Sequence, residues 1–136
     1  MTRVPLLFII LFAIGAGACG GDEDKRDALW SYISPAIIQP NCATSSCHSQ
    51  GAAVAGLNLS TAEAGYQSLL QLHLPLRGMG GMPKPRPLIT PGNPAESRAV
   101  NMMRGQGTLR MPPDRPLAEG DIELIERWIL DGATKD

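Results

Sequence analysis

The chain has 136 residues and a formal net charge of −1, and only 4% of its residues are aromatic although 43% are hydrophobic. This length allows one domain at most, and the charge argues against a nucleic-acid binder that relies on bulk electrostatics. The 15 glycines and 12 prolines follow no collagen-like period and indicate a small, loop-rich domain. Such domains often need a disulfide, a metal or a cofactor for stability.

The first 18 residues are predicted to be a cleaved signal peptide. Arg3 supplies a positive charge, residues 6–14 form an apolar stretch too short to span a bilayer, and residues 16–18 form a small-residue cleavage site before Cys19. The segment resembles the lipobox of bacterial lipoproteins, in which such a cysteine is lipidated; an ordinary secretory signal is the alternative. Both interpretations export the chain. Lipidation of Cys19 implies a membrane anchor facing the periplasm, with residues 19–27 as a polar tether. Because Gly20 rather than Asp follows the cysteine, analogy favours the outer membrane.

Two helices are predicted in the first half of the mature chain. Apolar residues at helical spacing predict one over residues 24–39, with a kink or division at Pro35 and an end before Pro40. Residues 60–63 read as a capping box, which begins a second helix that continues to about residue 72.

The segment between these helices carries the clearest chemical signal. Cys42 and Cys47 are separated by four residues, and His48 follows directly. The usual attachment site for c-type haem has two residues between its cysteines and a histidine next. In such a site each sulfur must reach one vinyl group of the porphyrin, and the histidine must reach the iron. These requirements do not constrain the residues between the cysteines, so that loop can be longer if it bulges outward. A Cys42–Cys47 disulfide, zinc bound by both cysteines with His48 and His73, and free thiols remain as alternatives.

Two further helices are predicted in the second half of the chain. The third begins at Asn93, a capping residue followed by Pro and then Glu three positions on, and ends near Gly105. The last covers about residues 118–131, with Gly132 as its C-cap. No segment alternates as a strand would, so the fold class predicted is all-α.

A methionine can provide the second axial ligand of a haem iron. Met111 lies in the loop before the last helix, where Pro112 and Pro113 limit its freedom. Met82 is the runner-up, and His73 would instead give a bis-histidine iron. Met102 and Met103 lie on a predicted helix and are most simply core residues.

The order of these features resembles the planctomycete-type cytochrome c domain, a branch of the small class I cytochromes c. The matching segments are Cys42 to His48, residues 56–59, 90–97, 110–113 and 122–133, so the resemblance covers about residues 28–133. It implies a class I cytochrome c-like fold with about four helices wrapped around one covalent haem c. It also implies thioether links at Cys42 and Cys47, proximal His48 and distal Met111.

The resemblance predicts one-electron transfer by a membrane-tethered periplasmic cytochrome. The expected partners are an unidentified redox protein and, through Cys19, the membrane; no nucleic acid is expected. The sequence contains no Ser/His/Asp set, paired-carboxylate site or phosphate loop, so we do not expect an enzyme. The alternatives are a surface lipoprotein that binds another envelope protein and is closed by a Cys42–Cys47 disulfide, and a haem-based gas or redox sensor.

Overall fold

A computed structural model of the chain describes residues 24–71, 87–107 and 109–136. The predicted signal peptide, Cys19, His73 and Met82 lie outside these residues. Within the described ranges the regular structure is helical and contains no strand, which agrees with the all-α prediction. None of the described helices combines the length and apolar character that crossing a membrane requires.

The first helical body is a rod made of α1 (Trp30–Ile33), a π-helical turn (Ser34–Ile38) and α2 (Gln39–Cys42). The sequence placed this helix at residues 24–39, and both of its predicted ends are wrong. The predicted disturbance at Pro35 takes the form of the π turn, in which the Gln39 N–H donates to the Ser34 carbonyl. The wider turn relieves the clash between a proline ring and the preceding turn, so the helix passes through Pro40 instead of stopping. Its last residue is therefore Cys42.

The second helix, α3 (Ala62–Gln71), lies where it was predicted, but its cap differs. The Thr61 hydroxyl oxygen accepts a hydrogen bond from the Ala64 N–H at 3.1 Å, which makes Thr61 the N-cap. Ser60, the cap expected from the sequence, instead accepts a hydrogen bond from the Gln50 N–H at 2.6 Å. That bond attaches the loop after His48 to the start of α3.

The third predicted helix is divided in two. Asn93 caps as expected, accepting from the Glu96 N–H at 3.2 Å, but it caps only a single 3₁₀ turn (Pro94–Glu96). The chain is then extended at Ser97, whose buried hydroxyl accepts from the Thr90 N–H and donates to the Asn93 carbonyl. These bonds stop the 3₁₀ turn from continuing as an α-helix. α4 (Arg98–Arg104) therefore begins five residues after Asn93 and ends at the left-handed Gly105.

The last helix, α5 (Glu119–Leu130), agrees with its prediction. Gly132 has a positive φ and donates to the Ile129 carbonyl, while the Ala133 N–H donates to the Trp128 carbonyl, the paired bonds of a Schellman cap. At the contact between α1 and α5, the Trp30 and Trp128 rings stack with centroids 4.9 Å apart. Both rings are only 1% exposed, so they form the centre of the core.

The residues before α1 are attached to α5. The Arg127 guanidinium donates to the carbonyls of Asp24 and Arg26 at 2.6 and 3.1 Å, and Arg26 forms ion pairs with Asp24 and Asp121. Hydrogen bonds from the Arg26 side chain hold the pKa of the Asp24 carboxyl at about 2, below its ordinary 3.8. Residues 24–27, expected to be part of a polar tether, thus contact the last helix.

Candidate functional site

An apolar cavity that is partly open to solvent lies between the rod, α3, α4 and α5. We call this cavity the slot. The residues lining it are almost entirely apolar or sulfur-containing: Trp30, Ile33, Ile38, Cys42, His48, Val54, Ala55, Leu57, Leu59, Leu69, Leu88, Ile89, Ala99, Met102, Met103, Met111, Ile125 and Trp128.

A second cavity shares part of the same wall. We call it the mouth chamber; it is lined by Asn41, Cys42, Ser46, Cys47, His48, Val54, Met111, Pro112 and Pro113. Three of the residues singled out from the sequence, Cys42, His48 and Met111, line both cavities, and Cys47 lines the mouth chamber alone. The structure therefore brings residues of two distant segments, with their sulfur and imidazole groups, to the same two neighbouring cavities.

The segment between the two cysteines forms a closed loop. The His48 N–H donates to the Cys42 carbonyl at 3.1 Å, and the Cys47 N–H donates to the Thr44 carbonyl at 3.0 Å. The intervening residues 44–46 are exposed, so the extra length of this segment is turned outward. Cys42 and His48 therefore stay close together at the ends of the loop despite the four residues between the cysteines.

One ring nitrogen of His48 is held by the backbone. Nδ1 lies 3.1 Å from the Val54 carbonyl oxygen, and in the tautomer that donates this bond the proton is on Nδ1 and Nε2 keeps its lone pair. A histidine that binds a metal through one nitrogen commonly donates from the other to a carbonyl, which orients the ring and raises its basicity. His48 thus has the hydrogen bonding of a metal ligand.

Val54 is the functional residue that sequence reasoning missed. Its N–H donates to the Cys47 carbonyl at 3.0 Å, so Val54 is tied to the loop at both its N–H and its carbonyl. Its neighbours Ala53 and Ala55 have φ of +37° and +57°, a conformation that costs a non-glycine residue free energy and often marks functional sites. Because the carbonyl makes the contact, no side-chain pattern could have identified it.

Met111 is attached to α4 through its backbone. Its N–H donates to the Met102 carbonyl at 2.9 Å, which fixes the start of the proline loop beside the last turn of that helix. Met103 is buried in the core as expected, and Met102 packs against the core. Both also line the slot, so three methionine side chains border it. Only Met111 among them also borders the mouth chamber.

The thiols of Cys42 and Cys47 are free and not joined by a disulfide. Burial, with a smaller contribution from Cys47, raises the pKa of the Cys42 thiol to about 11. A thiol that stays protonated at neutral pH is a weak zinc ligand and a slow participant in disulfide exchange. Within the described ranges, moreover, no three His, Cys, Asp or Glu residues cluster as metal ligands. The fourth residue of the predicted zinc set, His73, lies outside those ranges.

No protein-family model matches this sequence, and neither a curated protein nor a solved structure is significantly similar to it.

Proposed function

We propose that this protein is a c-type cytochrome of the bacterial envelope that transfers single electrons. Cys42 and Cys47 would hold one haem c through thioether bonds, His48 would be the proximal ligand and Met111 the distal ligand. When bound, haem supplies a one-electron couple between ferrous and ferric iron. A class I cytochrome c-like arrangement of the helices around the slot belongs to the same proposal.

The observation that carries the proposal is the slot itself. Cys42, His48 and Met111 line one apolar cavity, and the Nδ1 of His48 is bonded to the Val54 carbonyl. A porphyrin needs apolar walls, a nitrogen ligand with a free lone pair, and thiols at one edge. The slot provides the apolar walls, the His48 ligand and the Cys42 thiol, and the second thiol, Cys47, lines the mouth chamber beside it.

The chain's own residues would perform distinct tasks in this function. Val54 orients the His48 imidazole and increases its basicity. Met111 supplies a thioether, a ligand that raises the reduction potential relative to a second imidazole. The apolar walls, which include Trp30 and Trp128, would limit water around a bound haem and so disfavour its charged ferric state. All three effects would tune an electron carrier, and an iron held by two protein ligands would have no site for a substrate.

The location of the protein is proposed from the sequence signal. Export through the signal peptide would place the mature chain in the periplasm, where c-type haem is attached, and lipid on Cys19 would anchor it to a membrane, with analogy favouring the outer one.

The decisive experiment is a haem stain after denaturing electrophoresis of the purified full chain. We expect haem to remain with the wild-type polypeptide, to be lost in the double variant Cys42→Ser/Cys47→Ser, and to remain with a single link in each single variant. Intact mass of the same samples counts haem and acyl groups together. A wild type that retains no covalent haem when isolated from its native host would refute the proposal.

Two controls separate the alternative functions. A disulfide-closed interaction module would show no haem absorbance, and its mass would be two hydrogens below that of the dithiol. A gas sensor would bind carbon monoxide readily in the reduced wild type, whereas the proposed electron carrier binds it only after Met111 is removed.

A further inference from the structure

Most of the described residues that line the mouth chamber come from one uncharged stretch of the chain. Residues 28–62 contain no Asp, Glu, Lys or Arg, and they supply every lining residue of the mouth chamber except Met111, Pro112 and Pro113. Around the opening, residues 44–46 are exposed and small and polar, while Val54 is apolar and 49% exposed. We call residues 44–46, Val54, Ala55 and Pro113 the neutral face.

Charged groups lie outside this face. On the loop that contains Met111, Arg110, Asp114 and Arg115 are exposed, but none of them lines the mouth chamber. Several other charged groups are paired: Arg104 with Glu119 and Glu126, Arg26 with Asp24 and Asp121, and Lys135 with Glu63. None of these described charged residues belongs to the neutral face or lines the mouth chamber.

Resting on the proposed function, we propose that the neutral face is the docking surface for a redox protein whose own contact face is uncharged. Electrons would pass where the slot opens, and Cys47, one of the two attachment residues, lines the mouth chamber only. A partner that presented a charged group there would lose its hydration without gaining a counter-charge. An uncharged partner face avoids this cost, so contact area and shape would select the partner.

Electron self-exchange between oxidised and reduced copies of the holoprotein tests the proposal, because each copy presents a neutral face to the other. The rate can be measured from NMR line broadening at ionic strengths of about 0.01 M and about 0.1 M, between which the Debye length falls from about 30 to about 10 Å. For the wild type we expect a change of less than about twofold, since long-range steering by charge is absent.

The variant Ser45→Lys places two like charges across the contact. We expect its self-exchange at low salt to be about fivefold slower, as for unit charges about 4 Å apart in water, and to recover as salt is added. Ser45→Gln controls for side-chain size. Leu130→Lys is the matched charge control, because Leu130 is 62% exposed on α5 and lines neither cavity. Both control variants should retain the wild-type rate and salt dependence.

A wild-type rate that changes tenfold or more with salt would show that charged groups guide the contact and would overturn the proposal. The same conclusion follows if Leu130→Lys slows exchange as much as Ser45→Lys. If Ser45→Lys does not take up haem, Thr44→Lys on the same exposed loop replaces it. A wild type without haem would instead refute the proposed function, and the haem stain shows this before any rate is measured.

Discussion

The close contact between Gly65 and Trp30 leads to a quantitative prediction about the wall of the slot. Gly65 is buried in α3, and a Cβ atom there would lie 3.3 Å from Trp30 Cζ2 and 3.7 Å from Leu59 Cδ2. The indole cannot easily retreat, because its N–H donates to the Ala62 carbonyl at 2.9 Å and its ring is stacked on Trp128.

Two effects oppose each other in Gly65→Ala. Alanine improves helix propensity by about 1 kcal/mol, while overpacking a tightly filled core costs about 1–3 kcal/mol. Because Trp30 is held on two sides, we expect overpacking to prevail and the free energy of unfolding to fall by about 1 kcal/mol. Since Trp30 also lines the slot, the same variant should take up less haem.

Gly120→Ala is the matched control, because this glycine lies in α5 and its added Cβ would meet only side-chain ends at ordinary contact distance, Arg26 Nη2 at 3.5 Å and Asp24 Oδ2 at 3.8 Å. Here the propensity gain should remain, and stability should rise by about 0.5 kcal/mol. Urea denaturation followed by tryptophan fluorescence measures both variants. If Gly65→Ala is as stable as Gly120→Ala, the close packing of α3 on Trp30 is wrong.

Three further predictions concern the ligand, the N-terminal contacts and the anchor. In oxidised Met111→Ala, the near-infrared charge-transfer band of sulfur-to-iron coordination should disappear, and the reduced protein should bind carbon monoxide and have a lower potential. Asp24→Asn should reduce the free energy of unfolding above about pH 4. Because the folded pKa of the Asp24 carboxyl, about 2, lies below its ordinary 3.8, the advantage of the wild type over this variant should be lost as the pH falls from 4 towards 2. Urea titrations at several pH values measure this difference. Cys19→Ser should move the protein from the membrane fraction to the periplasmic extract.

Each of these has an outcome that contradicts it. If the charge-transfer band survives in Met111→Ala but not in Met82→Ala, Met82 is the ligand. A wild type without the band points to His73 or an open position. Met102→Ala is the control and should leave the band in place. Equal stabilities of wild type and Asp24→Asn at pH 6 would exclude the ion pair with Arg26 as a stabilising contact. A wild type already soluble in the periplasmic extract would favour the ordinary signal peptide.

The positions of the helices followed largely from local sequence signals. Apolar spacing located α3 and α5, and Gly132 and Gly105 marked helix ends because a left-handed residue there favours glycine. The candidate site residues were also selected from local signals, since Cys42, Cys47 and His48 lie within seven residues of chain and Met111 is followed by two prolines. The structure places all four at the lining of the slot or the mouth chamber. Each of these signals depends on residues that are close together along the chain, and such local patterns are what a single sequence shows most clearly.

Tertiary structure decided which backbone groups serve the site. The rod continues through Pro40 because its packing against α3 and α5 stabilises the widened π turn, which helix propensity alone disfavours. The Val54 carbonyl reaches His48 because of the left-handed Ala53 and Ala55 that surround it, and alanine carries no sequence signal for that conformation. Whether the sulfur and nitrogen groups share one cavity depends on contacts between segments more than 60 residues apart along the sequence, which local patterns along the chain do not encode.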